Sequence, residues 1–266
     1  MNLIFITENA CHAKNLSVAG VDYIMVDLEI NGKQERQGHL NTIISRHNIE
    51  SIGLVSDAVK NSNTKVLVRV NPLYEKSIQE IDKAISLGAS KLMLPMFRTC
   101  DEVEIFLSMV DGRVPVTLLV ETTSAVASLS NILRLPGNYD IHVGLNDLHL
   151  EMKLKFMFEL LLKDGVVEYV AQLCNRADRN FGFGGVSRLQ GNSPLTAEEV
   201  LSEHIRLGST SVILSRDWRN SIDEGDFAKH VILLRDFLSK KIFFDQMTIS
   251  RKIISISKNM KNNNIF

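Results

Sequence analysis

The sequence predicts a single (β/α)8 TIM barrel with a C-terminal helical extension. Three observations predict it. Eight short apolar runs recur along the chain, and helical periodicity fills the segments between them. Their starts are spaced by about 30 residues on average, the size of one βα unit. The 266 residues show no break in composition, and barrels of about 250 residues are ordinarily one domain.

The runs are residues 3–7 (LIFIT), 23–28 (YIMVDL), 65–70 (KVLVRV), 91–95 (KLMLP), 114–121 (VPVTLLVE), 139–144 (YDIHVG), 181–185 (FGFGG) and 211–215 (SVILS). They are rich in Val, Ile and Leu and nearly continuous rather than alternating, as strands buried on both faces of a parallel sheet are. Between them, Ile78, Ile81, Ala84, Ile85 and Leu87 recur at helical steps, and Gly88 ends that helix. Thr99 caps CDEVEIFLSMV, which carries acids in its first turn. SAVASLSNILRL reads as a further helix. TAEEVLSEHIRLG opens with a capping-box pattern from Thr196 to Val200, preceded by Pro194, and closes at Gly208. Two long steps, after strands 2 and 6, leave room for an extended loop or an extra helix. An open doubly wound sheet would use the same units; the count of eight favours closure. One more helix fits residues 227–240. The barrel is therefore expected over residues 1–240. Residues 241–266 are expected to form a helix fraying into a Lys/Asn tail, in packing or oligomer contact.

Composition excludes several classes. Hydrophobic residues are 45% and charged residues 23%, ordinary for a globular protein. Thirty Lys and Arg face 31 Asp and Glu, a net charge of −1, so no nucleic-acid footprint is expected. No run reaches 18 apolar residues, so no membrane partner is expected either. The N-terminal stretch MNLIFITENACHAK lacks a cationic region and does not read as a signal peptide. Cys11, Cys100 and Cys174 are odd in number and far apart, which excludes a disulfide framework and any CxxC metal site. A cytoplasmic protein is the expectation.

In a barrel, chemistry lies at the C-terminal ends of the strands. Those ends carry Asp27 and Glu29, Arg69 and Asn71, Glu121 and Thr122, then Gly144, Asn146, Asp147 and His149. Strand 7 ends in Gly184 and Gly185 with Arg188 behind, and strand 8 in Ser215 and Arg216. Buried acids need partners or a metal. Glu121 and Asp147 follow adjacent strands, so their carboxylates would meet over the mouth. Two carboxylates with open positions suit Mg2+ or Mn2+, and Arg69 would oppose an anionic substrate. Each acid alone also reads as a helix cap or a salt bridge.

The remaining signals are weaker. No GxGxxG or P-loop motif occurs, so no nucleotide cofactor is expected. Gly184, Gly185 and Ser215 read either as an anion-binding strand end or as close packing. No GxSxG elbow is present, and no strand ends in a lysine placed for an imine. His142, His204 and His230 read as structural. His149 is the histidine expected at the mouth, and His39 and His47 fall in the long segment after strand 2.

Five segments, in order, resemble the HpcH/HpaI aldolase and citrate lyase β-subunit family. They are AGVDYIMVDLE, VLVRVNP, IDKAISLGASKLMLPMFRTCDEVE with its "GA…PM" pattern, LLVETTSAV, and NYDIHVGLNDLHL with its "iGxxDL" pattern. The resemblance implies a divalent metal on Glu121 and Asp147, and Arg69 against the carbonyl or enolate oxygen of a 2-oxo acid. Departures accompany it. The aldolase branch continues strand 2 as Asp-x-Glu-His, whereas this chain reads Asp27-Leu28-Glu29-Ile30. A second Asp of the citrate lyase branch is absent, and strand 1 ends Thr7-Glu8-Asn9 without the arginine associated with coenzyme A. Lys33, Arg36 and Gln37 in INGKQERQG suggest a polar or anionic second substrate, or else an ordinary solvated loop.

The expected function is a metal-dependent carbon–carbon lyase of the class II aldolase type, acting on a pyruvate-type 2-oxo acid and an aldehyde, as a homo-oligomer. Arg69, Glu29 and Asp27 form the expected catalytic set, with Asp27 and Glu29 alternatively orienting metal waters. A metal-bound hydroxide, or Glu29 with His39, is the expected base. Expected substrate contacts are Lys33, Arg36, Gln37, Gly144, Asn146, His149, Gly184, Gly185 and Ser215. An acyl-thioester lyase or oxaloacetate decarboxylase is the alternative, and a non-catalytic 2-oxo-acid-binding barrel the further one.

Overall fold

Each apolar run forms a strand, and the eight strands close in sequence order. The structure is a computed structural model and describes residues 1–30, 48–191, 193–215, 217–223 and 225–262. The strands are β1 (Asn2–Ile6), β2 (Tyr23–Asp27), β3 (Lys65–Arg69), β4 (Lys91–Leu94), β5 (Val116–Val120), β6 (Tyr139–Val143), β7 (Phe181–Val186) and β8 (Ser211–Leu214). All neighbours pair in parallel, and β8 returns to β1 through Leu3 opposite Val212, closing the barrel.

The helices between them are α1 (Ala10–Val18), α2 (Ser51–Val59), α3 (Ser77–Ser86), α4 (Cys100–Val110) and α5 (Thr123–Ile132), then α6 (Leu145–Glu151), α7 (Val166–Arg176) and α8 (Ala197–Leu207). The long step after β6 holds both α6 and α7, with a 3-10 turn at Met157–Leu161 between them.

Alternation along each strand divides the core in two. Ile4, Met25, Leu67, Met93 and Leu119 fill the barrel interior. Their chain neighbours, such as Leu3, Ile24, Val66, Leu92 and Leu118, pack outward against the helices in a separate cluster. That double burial is why the strands read as unbroken apolar runs. The interior also takes polar residues near its N-terminal end. Lys91 pairs there with Asp140, whose other oxygen accepts the Thr117 hydroxyl at 2.6 Å.

Local chemistry sets the element ends. Thr99 and Glu102 form a reciprocal capping box at α4, and Thr196 and Glu199 another at α8. Gly208 follows α8 at φ 76, a left-handed position that favours glycine. β5 begins two residues later than the apolar run suggests. Pro115 has no N–H for the ladder, and its carbonyl instead accepts Leu92 N–H at 3.1 Å. β7 continues to Val186 across a bulge between Phe183 and Gly185.

Beyond β8 lie α9 (Trp218–Asp223), α10 (Phe227–Lys240) and α11 (Gln246–Asn262). Trp218 is fully buried, and its indole N–H donates to the Val186 carbonyl at 3.0 Å, fixing α9 over the end of β7. α11 folds back on the same barrel: Ile249 and Ile253 are buried, and Lys252 pairs with Glu199 at 2.7 Å. Among the described residues no helix is long and apolar enough to cross a membrane.

Candidate active site

The interior side chains that end β2, β3 and β5 build the site. Asp27, Arg69 and Glu121 face into the mouth of the barrel, where a cavity of about 220 Å3 opens. The cavity also takes Gly144, Asn146 and Asp147 from the β6 end and α6, and Gly184, Gly185 and Ser215 from the β7 and β8 ends. Nine of the expected site residues thus share one wall system.

Arg69 is the centre of the acidic side. Its Nε and Nη2 donate to the two oxygens of Asp27, both at 2.8 Å, and its Nη1 lies 3.4 Å from Glu29. Asp27 and Glu29 are almost fully buried, so all three groups are held away from bulk water. Burial would discharge the guanidinium, but Asp27 and then Glu29 outweigh it and raise its pKa well above the usual value. A guanidinium has five N–H groups. One on each terminal nitrogen stays outside these contacts and is available to an oxygen in the cavity. Asp27 and Glu29 therefore act first as positioning residues for Arg69.

Glu121 is also buried, and its Oε1 accepts Met96 N–H at 3.0 Å. Met96 holds φ 55, an unusual backbone for a non-glycine residue, in the turn that directs this N–H. Burial first, then Glu29 and Asp147, raise the Glu121 pKa well above the carboxylate range, against the opposing pull of Arg69 and Met96. Such a carboxylate takes a proton unless a cation joins it. Among the described residues no three His, Cys, Asp or Glu groups cluster so as to hold a metal ion by themselves. A cation here would use Glu121 and Asp147 and complete its shell with substrate and solvent oxygens, the usual pattern for Mg2+.

Two glycines shape this wall. A Cβ on Gly144 would lie 2.8 Å from both Cβ and Oε2 of Glu121, so its hydrogen gives the carboxylate its place. A Cβ on Gly184 would meet Leu145 at 2.3 Å, and Gly184 adopts φ 24. For Gly184 close packing against α6 is thus established, whatever its backbone offers an anion.

Several expectations change. His149 does not line the cavity: it lies on α6, and its Nδ1 faces the Leu145 carbonyl at 3.1 Å. The α6 turn directs the ring back along its own helix. His142, expected to be structural, is the histidine that lines the cavity. It lies two residues before Gly144 on β6, so strand alternation turns it inward. Asn71 serves as a pin, donating to Glu80 at 3.0–3.1 Å and accepting Ile30 N–H at 2.9 Å. Lys33, Arg36, Gln37, His39, His47 and Arg216 lie outside the described residues. Arg219, not singled out in the sequence, reaches the cavity from α9. Its only sequence signal is a cation four residues past a strand end.

His142 and His204 form a buried pair beneath the mouth. His204 stacks on Phe183 with ring centroids 3.5 Å apart, and its Nδ1 lies 2.8 Å from the Ser209 hydroxyl. The Nε2 atoms of both histidines are buried without a hydrogen-bond partner among the described residues. Burial, then Lys91 and Arg69, push His142 down to about 3 from an ordinary 6.5. The unfolded chain therefore binds a proton that the folded chain refuses between those values. Stability falls there as pH falls, by about 1.4 kcal/mol per unit for each such histidine. His142→Leu should flatten urea-midpoint profiles between pH 6.5 and 4 relative to the native protein, as measured by circular dichroism. Equal slopes in the two proteins would contradict a neutral buried His142.

A closed parallel barrel whose strand ends carry paired acids around an arginine is an enzyme-like arrangement. The sequence pattern of the HpcH/HpaI aldolase/citrate lyase family matches residues 3–161, and the chain belongs to that family. Membership supports an enzyme of the aldolase and lyase class. A family protein from Burkholderia cenocepacia superposes with TM-score 0.63 at 15% identity, over 86% of this chain and 93% of that one. The citrate synthase SbnG does so with TM-score 0.60 at 16% identity, over 88% and 93%. Macrophomate synthase does so with TM-score 0.60 at 15% identity, over 89% and 85%. At these identities the likeness concerns the fold. No curated protein matches the chain as a relative.

Proposed function

We propose that the chain is a divalent-metal-dependent carbon–carbon lyase of the class II aldolase type, which cleaves or forms the aldol of a pyruvate-type 2-oxo acid. The observation that carries this reading is the convergence of Arg69, Glu121 and Asp147 on one cavity. Mg2+ or Mn2+ would sit on the carboxylates of Glu121 and Asp147. Their fit to a cation is supported by the raised pKa of Glu121 and by the cradle at Gly144, where any Cβ would crowd the carboxylate.

When bound, the metal supplies Lewis-acid polarisation of the 2-oxo oxygen. The chain supplies the rest. Arg69 directs its two remaining N–H groups at the oxygen that gains charge as the C–C bond breaks. Asp27 and Glu29 hold that guanidinium in place before substrate arrives, so little reorganisation is needed during the reaction. Leu119, Ile213 and Leu214 give the same cavity an apolar part of its lining. Its volume is below the roughly 300–1,000 Å3 of drug-sized pockets, which suits two small reactants.

The test is oxaloacetate decarboxylation by the chelator-stripped protein, with the spontaneous metal-catalysed rate subtracted. It needs an enolate-stabilising site and no aldehyde. Mg2+ or Mn2+ should restore activity, and Glu121→Gln should lower the restored rate at least about a hundredfold. No activity above background would sink the pyruvate-enolate reading, leaving a thioester substrate or a non-catalytic barrel.

A further inference from the structure

The connection from β6 to α7 supplies Asn146, Asp147 and Met157 to the cavity wall. Beyond α6 it is held by little regular structure, only the 3-10 turn at Met157–Leu161. Two of its residues take a left-handed backbone without being glycine, Lys153 at φ 55 and Asp164 at φ 58. Such conformations persist only where the surroundings hold them. Phe158, Leu160 and Leu161 are buried and set the depth of the turn. Apolar burial is not directional, so the orientation of the turn needs other contacts.

α11 supplies them. The Ser257 hydroxyl donates to Glu159 Oε1 at 2.9 Å. That same oxygen accepts Phe156 N–H at 2.9 Å and Lys155 N–H at 3.0 Å, so the hydroxyl joins the carboxylate that folds the turn. Gln246 Nε2 donates to the Leu161 carbonyl at 3.3 Å, and Lys163 N–H donates to Ser250 Oγ at 3.1 Å. The Ser250 hydroxyl then donates to Gln246 Oε1 at 3.3 Å. Gln246, Ser250 and Ser257 are spaced by four and seven residues and so share one face of the helix. Ser250 and Ser257 are themselves buried, as are Ile249 and Ile253 beside them, so water does not compete for these bonds.

We infer that Gln246, Ser250 and Ser257 are positioning residues for the active site, and that α11 fixes the cavity wall from outside the barrel. The inference rests on the proposed enolate reaction and adds to it a helix that touches none of the reacting groups. Two routes lead inward from the seat of α11. Glu159 lies two residues from Met157, so the turn it folds places that side chain in the wall. The start of the same connection is tied to the end of α6, where Leu154 N–H donates to the His149 carbonyl at 2.9 Å. α6 carries Asp147, so a turn that loosens at Glu159, Leu161 and Lys163 also frees the helix that presents this carboxylate.

The experiment uses the full chain with Ser250→Ala and Ser257→Ala combined. Hydrogen exchange of peptides spanning residues 153–163 should quicken at least about tenfold, with the strands unchanged and the melting temperature within a few degrees of native. In the same variant kcat for oxaloacetate decarboxylation at saturating Mn2+ should fall at least about tenfold, and Mn2+ should bind at least about threefold more weakly. Ser250→Thr with Ser257→Thr keeps both hydroxyls and should recover most of each loss. Lys252→Met loosens α11 from Glu199 on α8 without touching the connection, and should stay within about twofold of the native rate. An equal loss in Lys252→Met would reduce the effect to general packing and overturn the inference. Unchanged exchange in the alanine variant, or faster exchange with native kcat and native Mn2+ affinity, would overturn it as well. Failure of the enolate reading shows separately, as missing decarboxylation in the native protein. Mn2+ affinity then still reads the positioning, and a native protein that binds no Mn2+ either would take the inference down with that reading.

Discussion

Arg69→Ala should lower kcat for the enolate reaction at least about a hundredfold and should also destabilise the fold. The two effects have one origin. Arg69 donates twice to Asp27 at 2.8 Å and lies 3.4 Å from Glu29, and both carboxylates are buried. Removing the guanidinium takes away the donor aimed at the developing oxyanion. It also takes the Arg69 guanidinium away from two buried carboxylates, and removing one partner of a buried pair typically costs about 3–5 kcal/mol. Arg69→Lys separates the two. An ammonium restores charge, and with it part of the stability, but it cannot fork onto Asp27 while presenting donors to substrate. Steady-state kinetics with thermal melts read both quantities. A native kcat in Arg69→Ala would remove this residue from the chemistry, and a native melt would show that Asp27 and Glu29 do not depend on it.

Gly144→Ala should lower metal affinity and kcat by about a hundredfold through a single methyl group. Gly144 has φ −82, a backbone open to any residue, so the effect is not strain in the chain. The added Cβ would instead come within 2.8 Å of Glu121 Cβ and Oε2. Because Glu121 Cβ is fixed to β5, the whole side chain must shift, and Asp147 on the next helix then faces a displaced partner. Positioning errors of this size are costly because the reacting geometry tolerates little. Calorimetric titration with Mn2+ together with kcat would measure it. Unchanged Mn2+ affinity would mean that Glu121 is not held by this contact and would weaken its assignment as a ligand.

The eight strands were legible because each carries its own signal. A run buried on both faces is apolar at every position, and glycines and capping threonines mark the ends of its helix. Thr99, Thr196 and Gly208 lie where those rules put them. Boundaries slipped where backbone chemistry outweighed hydropathy, as at Pro115. The acidic side of the site was legible for a related reason. In a closed parallel barrel, a strand-end position already implies convergence, so Arg69, Glu121 and Asp147 could be named together.

His142 and Arg219 were read differently or passed over because their roles depend on distance in space. A histidine inside a strand looks structural until the barrel closes and its alternate face becomes the cavity floor. His149 looked close to the site in sequence, but its helix turns the ring back to Leu145. Arg219 lies on a short helix whose direction is set by burial of Trp218 against Val186 and Phe227, contacts invisible to periodicity. The amino-acid sequence by itself determined the barrel, its family and the acids and arginine at the strand ends, since each follows from local pattern and strand polarity. Only the tertiary structure decided which histidine meets the cavity, that Arg69 is clamped by Asp27 and Glu29, and that Arg219 reaches the same cavity. Those facts depend on the angle at which each element arrives around a closed barrel, and packing sets that angle.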